Sequence, residues 1–461
     1  MRSLACLLLI SSVWAQTIAF THANVIDGTG APVKKDQTVI IRWGKIAQIG
    51  GALKIPPGAQ TVDTTGKYMI PGLWDMHTHV AGITADPKWG KSLLPQYLAA
   101  GITSIRDMAG DIDALKSWQS QQAAGELAGP RMFVCGPFID GSTQGFGFAT
   151  DVRAATTPEE GRALVRELKA KGVDFIKVGS QLSRATFMAI ADEAKKLKVP
   201  FVGHVPDAVT PSEAARAGMK SQEHLFGIAL ETSSKGDELR QQLVDARAKQ
   251  DTPAVVRLVA ESQQTTDDAK ARALFAEFKK NGTWIVPTLA WTQITSTLSE
   301  RTDDPGLKPL PADLQKQWAP GQKVMSDGAQ KYYARKYESD AKLVGMMNTA
   351  GVQILAGSDS LDPYVFPGSS LHRELELLVK AGLTPMQALQ AATIQPSRFF
   401  GIQMGLGTIE RGKNADLVLL DANPLEDIRN TRKVFAVMWA GRYYPKAQLE
   451  AMVETAVAAA K

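Results

Sequence analysis

Three segments in the middle of the chain open on one pattern: Thr157-Pro158-Glu159-Glu160, Thr210-Pro211-Ser212-Glu213 and Thr384-Pro385-Met386-Gln387. Each puts Thr at a helix N-cap, Pro at the first helical position and Glu or Gln at the third, which completes a capping box. Gly172 and Gly218 stand where the first two helices must stop, because a glycine there takes the left-handed conformation without penalty. Short apolar runs at 173–178, 199–205 and 221–225 alternate with these helices and predict strands. Strand–helix units repeated every few dozen residues imply a parallel sheet with helices outside it. The 461 residues leave room for a closed (β/α)8 barrel of roughly 250 residues or more, with its active site at the C-terminal strand ends.

The two ends of the chain read differently. Residues 18–26, 38–43 and 45–49 are β-rich runs punctuated by glycine turns, and 415–420 and 434–439 repeat the style near the C-terminus. Residues 231–280 have helical spacing without a strand, and 296–322 is polar and contains proline. Both read as solvated decoration, with a lid over the site as the other reading; 282–288 between them reads as a further barrel strand.

Arg2, the apolar run 4–10 and the small residues before Gln16 form the pattern of a cleaved secretory signal, with cleavage expected after Ala15. That run is too short to span a bilayer, so the mature chain is expected to be secreted or periplasmic and free of the membrane. Of the two cysteines, Cys6 lies in the leader, so the mature chain keeps Cys135 alone and forms no internal disulfide. Cys135 reads as core filler. The formal charge of +5 is spread thinly, with no basic block interleaved with aromatics, which argues against a nucleic-acid partner.

The chemistry concentrates in few residues. With six histidines in the chain, His77 and His79 lie two apart and therefore share one face of a strand. His204 and His224 close two predicted strands, and Asp359 ends the apolar run 352–359. Lys177 sits among apolar neighbours, where a lysine without a partner is costly. Each has a bland reading as a paired core group, but six ionisable or ligating groups at successive strand ends point jointly to a metal site. Arg106 and Asp107 read as structural pairing, with support of the site from the second strand as the other reading; His372 reads as a helix-start residue and His22 as incidental.

These residues lie in motifs that resemble the amidohydrolase superfamily, in its imidazolonepropionase-like and prolidase-like branch. The likeness starts at Pro71-Gly72-Leu73-Trp74-Asp75-Met76-His77-Thr78-His79 and runs through Gly101-Ile102-Thr103-Ser104-Ile105-Arg106-Asp107. It continues in Gly203-His204-Val205-Pro206, Glu223-His224-Leu225 and Gly357-Ser358-Asp359, and closes with Leu406-Gly407-Thr408-Ile409-Glu410-Arg411-Gly412. It implies a barrel at 69–403 and a small β-sandwich assembled from 16–68 and 404–461. It implies two divalent metals, most readily zinc. His77, His79 and Asp359 would hold the more buried ion and His204 and His224 the more exposed one, with Lys177, carboxylated on its amine, bridging them. Metal-activated hydroxide would then cut the amide bond of a small N-acyl amino acid or dipeptide-like substrate, with Asp359 as proton shuttle. A lactone, carbamate or ester hydrolase with the same centre is the alternative; a mononuclear deaminase and a catalytically silent binding protein are further from the pattern. Dipeptidase-like relatives carry a Gly-Gly-His-Gly loop where this chain reads Gly141-Ser142-Thr143-Gln144-Gly145-Phe146-Gly147-Phe148. The missing histidine argues against simple prolidase activity, and Phe146 and Phe148 suggest an apolar pocket wall, with plain packing an equal reading of the pair. The partner expected is a small-molecule substrate, and homo-oligomer formation stays open.

Overall fold

The computed structural model describes residues 17–82, 87–143, 152–249, 251–301, 304–319 and 326–460. The expected leader and residues 144–148 of the phenylalanine-bearing loop lie outside them. All three capping boxes form, with Thr157, Thr210 and Thr384 each accepting from the third helical N–H. Gly172 and Gly218 follow the first two helices with φ of 76° and 90°.

The strands between these helices are shorter than the apolar runs that predict them: Ile176–Val178, Phe201–Gly203 and Ser221–Glu223. They are buried throughout, as parallel strands covered on both faces must be. The run 352–359 is strand only at Gln353–Ile354. Its remainder turns across the strand ends, and Asp359 itself takes φ of 65°. A parallel sheet runs in the order Val152–Ala154, Phe138–Asp140, Ile176–Val178, Phe201–Gly203, Ser221–Glu223, Trp284–Val286, Gln353–Ile354. A second parallel sheet holds Leu73–Thr78, Ile102–Asp107 and Arg131–Val134. Backbone bonds link the two at both edges, Asp174 N to Val134 O at 2.8 Å and Met76 N to Ala356 O at 2.9 Å. Strands Trp284–Val286 and Val434–Trp439 stand where the sequence places them.

The β-rich ends meet in one eight-stranded sheet, where Leu417–Leu420 pairs antiparallel with Tyr68–Pro71. Its own apolar cluster includes Phe20, Val39, Ile41, Leu417 and Met438. Residues 231–280 form helices, as their spacing predicts: Gly236–Ala248, Thr252–Gln264 and Asp268–Asn281. Leu230, Leu239, Leu243, Val255 and Leu258 make a separate small core among them. No helix among the described residues is long and apolar enough to cross a membrane.

Candidate metal centre

Because the strands of each parallel sheet run the same way, their C-terminal ends gather on one side, and the predicted residues collect there. His77 lies in Leu73–Thr78 and His79 just past it, while His204 and His224 each follow the last residue of a three-residue strand. The strand-end segment carrying Asp359 reaches them because Gly357 lets two backbones touch. A Cβ at Gly357 would stand 2.9 Å from the Cβ of His77 and 2.7 Å from Val286. Asp359 N then bonds His77 O at 2.9 Å, and Asp75 accepts from the backbone N–H and hydroxyl of Ser358.

Asp359 Oδ1 lies 3.3 Å from His77 Nε2 and 3.1 Å from His79 Nε2, and Asp359 Oδ2 lies 3.6 Å from His224 Nδ1. The rings of His77 and His224 are 4.6 Å apart, and those of His204 and His224 are 5.0 Å apart. Lys177, 2% exposed, points into the same interior, with its Nζ 5.5 Å from the Phe138 ring centre. Its charge helps depress His77, His79, His204 and His224, though burial is the larger cause for each. All four imidazoles are therefore neutral, which is the form that donates a lone pair to a metal. Burial lowers Lys177, against the pull of Asp359 and Glu223, and pushes Asp359 up to about 7, with Lys177 opposing.

Ring orientation is set from behind. Glu223 accepts from His77 Nδ1 at 2.9 Å, Thr288 Oγ1 stands 2.8 Å from His224 Nδ1, and Ser180 Oγ stands 2.9 Å from His204 Nδ1. Thr288 donates its own hydroxyl proton to Pro287 O at 2.8 Å, so it receives the His224 N–H. Arg106 holds Glu223 through both carboxylate oxygens at 2.9 Å and donates to Ser221 Oγ and Met76 O. Both readings of Arg106 meet here, since its pairing partner is the carboxylate that bonds the His77 ring. Glu223, Thr288 and Ser180 had been passed over. The available signal was the fully buried arginine, which demands a carboxylate, and the Ser221/Glu223 alternation that aims both at one face.

With Nδ1–H committed to Glu223, His77 Nε2 presents a lone pair, yet this buried atom has no hydrogen-bond partner among the described residues. It faces a carboxylate oxygen, another acceptor. The donor atoms of His77, His79 and Asp359 all lie within 4.8 Å of one another. Two imidazole nitrogens and a carboxylate converging at this spacing fit a divalent cation. Elsewhere, Cys135 is buried, bonds only the neighbouring Gly136 carbonyl and has its thiol pushed upward by burial, as core filler should. His372 lies inside the first turn of Ser369–Lys380 and bonds Thr431, and His22 pairs with Asp36 at the surface.

Fold and site together define an α/β protein built on parallel sheets, with a candidate divalent-metal site at the strand ends. The chain belongs to the amidohydrolase family, whose sequence profile matches residues 68–443. It is 24% identical to ochratoxinase from Aspergillus niger over 94% of this chain and 88% of that one. It is also 24% identical to imidazolonepropionase from Shouchella clausii, over 83% and 78% of the two chains. The structure of a Xaa-Pro dipeptidase with bound methionine superposes with a TM-score of 0.69 at 19% identity, covering 93% of this chain and all of that one (100%). This chain is accordingly an enzyme whose homologues hydrolyse carbon–nitrogen amide bonds.

Proposed function

We propose that the protein is a binuclear metal-dependent amidohydrolase that cleaves the amide bond of a small N-acyl amino acid or dipeptide-like compound. The observation that carries this reading is the convergence of His77, His79 and Asp359 around the orphaned His77 Nε2. His204 and His224 would hold a second ion beside the first, and Lys177, carboxylated at Nζ, would supply the anionic oxygens between them. Carboxylation also removes the cost of a buried ammonium. When bound, two divalent ions, most readily zinc, supply Lewis-acid polarisation of a carbonyl and acidify water. Asp359 is placed to take a proton from the attacking water and return it to the leaving nitrogen. Glu223 and Thr288 keep the His77 and His224 rings turned toward the centre.

The same reading closes the two parallel sheets into one (β/α)8 barrel over 69–403. It makes the mixed terminal sheet a composite β-sandwich of 16–68 and 404–461. It also removes residues 1–15 as an export signal.

The test is metal analysis with a substrate screen. Purified protein should hold about two metal equivalents per chain, and Lys177→Ala should lose most of them; full metal retention in that variant would remove the bridge. Asp359→Asn should stay folded by circular dichroism and lose turnover. Zinc-loaded enzyme screened against dipeptides, N-acyl amino acids, lactones and carbamates should favour the amides; lactone or carbamate preference would replace the bond assigned here.

A further inference from the structure

Beside the centre stands a group of aromatic side chains outside the candidate ligand set, of which Trp291 also packs against the main core. Phe226 follows His224 by two residues, on a turn where Leu225 has φ of 55° and Gly227 φ of 77°. Its ring lies 5.0 Å from both His204 and His224, edge-on to His204. Trp291, on the helix Leu289–Ser296, lies 5.1 Å from the His224 ring and 6.4 Å from Phe226. Tyr333, on the helix Asp327–Ala350, meets Trp291 edge-on at 5.7 Å.

These three rings are half-buried. Each therefore leaves part of its ring surface uncovered beside the histidines. The polar groups at the wall are mostly committed. Lys336 stands 5.5 Å from the Phe226 ring centre, but its ammonium is spent on Asp340 and the carbonyl of His224. The Tyr333 hydroxyl has no hydrogen-bond partner among the described residues, and it is raised by burial and by the nearby charges of Asp362 and Asp359. What remains is an apolar surface of three steeply angled rings with one hydroxyl on its rim, the composition of a small-molecule pocket. A further ring packed offset or edge-on against these rings gains attraction beyond its buried area, which an aliphatic chain does not.

We propose that Phe226, Trp291 and Tyr333 form the wall of a substrate subsite that receives a flat aromatic group carried on one side of the scissile bond. This rests on the amide-hydrolysing reading above and narrows its substrate to amides bearing an aromatic ring.

Two matched pairs test it on zinc-loaded full-length enzyme: N-acetyl-phenylalanine against N-acetyl-alanine, and N-benzoyl-glycine against N-acetyl-glycine. The aromatic member of at least one pair should be favoured in kcat/KM by tenfold or more. Trp291→Ala should cut that preference at least fivefold, mainly through KM. Trp291→Phe should restore most of it and Trp291→Leu should not. A preference absent from both pairs, or unchanged in Trp291→Ala and Phe226→Leu, overturns the proposal. If no amide is cleaved, calorimetric titration with phenylalanine and benzoate against alanine and acetate separates the two readings. Tighter aromatic binding that Trp291→Ala weakens keeps the wall and rejects the bond type, whereas equal binding rejects the wall.

Discussion

Glu223 is the single residue on which the geometry of the centre turns. It is fully buried, bonds the ring of His77 and takes both bonds from Arg106, so it fixes a ligand and neutralises an interior cation together. Burial pushes its carboxyl upward and Arg106 opposes that push. Glu223→Gln keeps an oxygen for His77 but leaves Arg106 without a counter-charge. Metal affinity should fall roughly 10- to 100-fold, the usual cost of losing an outer partner of a metal-binding histidine. Competition with a chromogenic chelator measures it, and unchanged affinity would mean that His77 is oriented by packing alone. Glu223→Ala should in addition destabilise the fold by about 3–5 kcal/mol, the range for breaking a buried ion pair.

At the scale of elements, the helix Ser369–Lys380 is docked by a buried acid. Glu374 accepts from Ala290 N at 2.7 Å, its other oxygen has no hydrogen-bond partner among the described residues, and burial raises its pKa to about 8 from an ordinary 4.5. Between those values the folded chain keeps a proton that the unfolded chain releases, so this group makes stability fall as pH rises. The cost is absent below about pH 4.5 and complete above about pH 8. Glu374→Gln should therefore gain melting temperature relative to the parent as pH climbs from 5 to 8. Parallel curves for the two proteins would show that Glu374 ionises freely. A smaller effect belongs to Thr210, whose capping box starts the helix carrying the chain from His204 toward His224. Thr210→Ala should cost about 1 kcal/mol by denaturant unfolding.

The whole molecule is joined through its ends. Tyr68–Pro71 leads directly into the strand of His77, and its partner along one edge is Leu417–Leu420. Arg131 reaches Asp416 at 2.8 Å and the Trp439 indole donates to Thr103 O at 3.1 Å, so the C-terminal strands also brace the strands behind the site. A chain truncated before Leu417 should fail to give soluble, cooperatively unfolding protein, while removal of the terminal helix Lys446–Ala459 alone should be milder. Two thermal scans compare them. On the proposed export of the chain, mass spectrometry of protein recovered outside the cytoplasm should find it beginning near Gln16, and an intact Met1 there would reject that step.

The local signals were enough to set most of the frame. Capping boxes, stop glycines and apolar runs depend on neighbours a few residues away, so they fixed the helix starts, the alternating α/β order and the β-rich ends. Scarce histidines at run ends marked His77, His79, His204 and His224, and the apolar setting of Lys177 marked an ionisable group in need of a partner. Family resemblance, rather than the residues themselves, tied Asp359 and Lys177 to two metals. What only tertiary structure decided depends on segments far apart in the chain. The bond from Glu223 to His77 spans 146 residues, and the approach of Gly357 to His77 and the packing of Trp291 on His224 are likewise remote. The run 352–359 could not reveal its turn because its apolar residues suit strand and strand-end alike, and it is the neighbouring backbone of His77 that bends Asp359 into the centre.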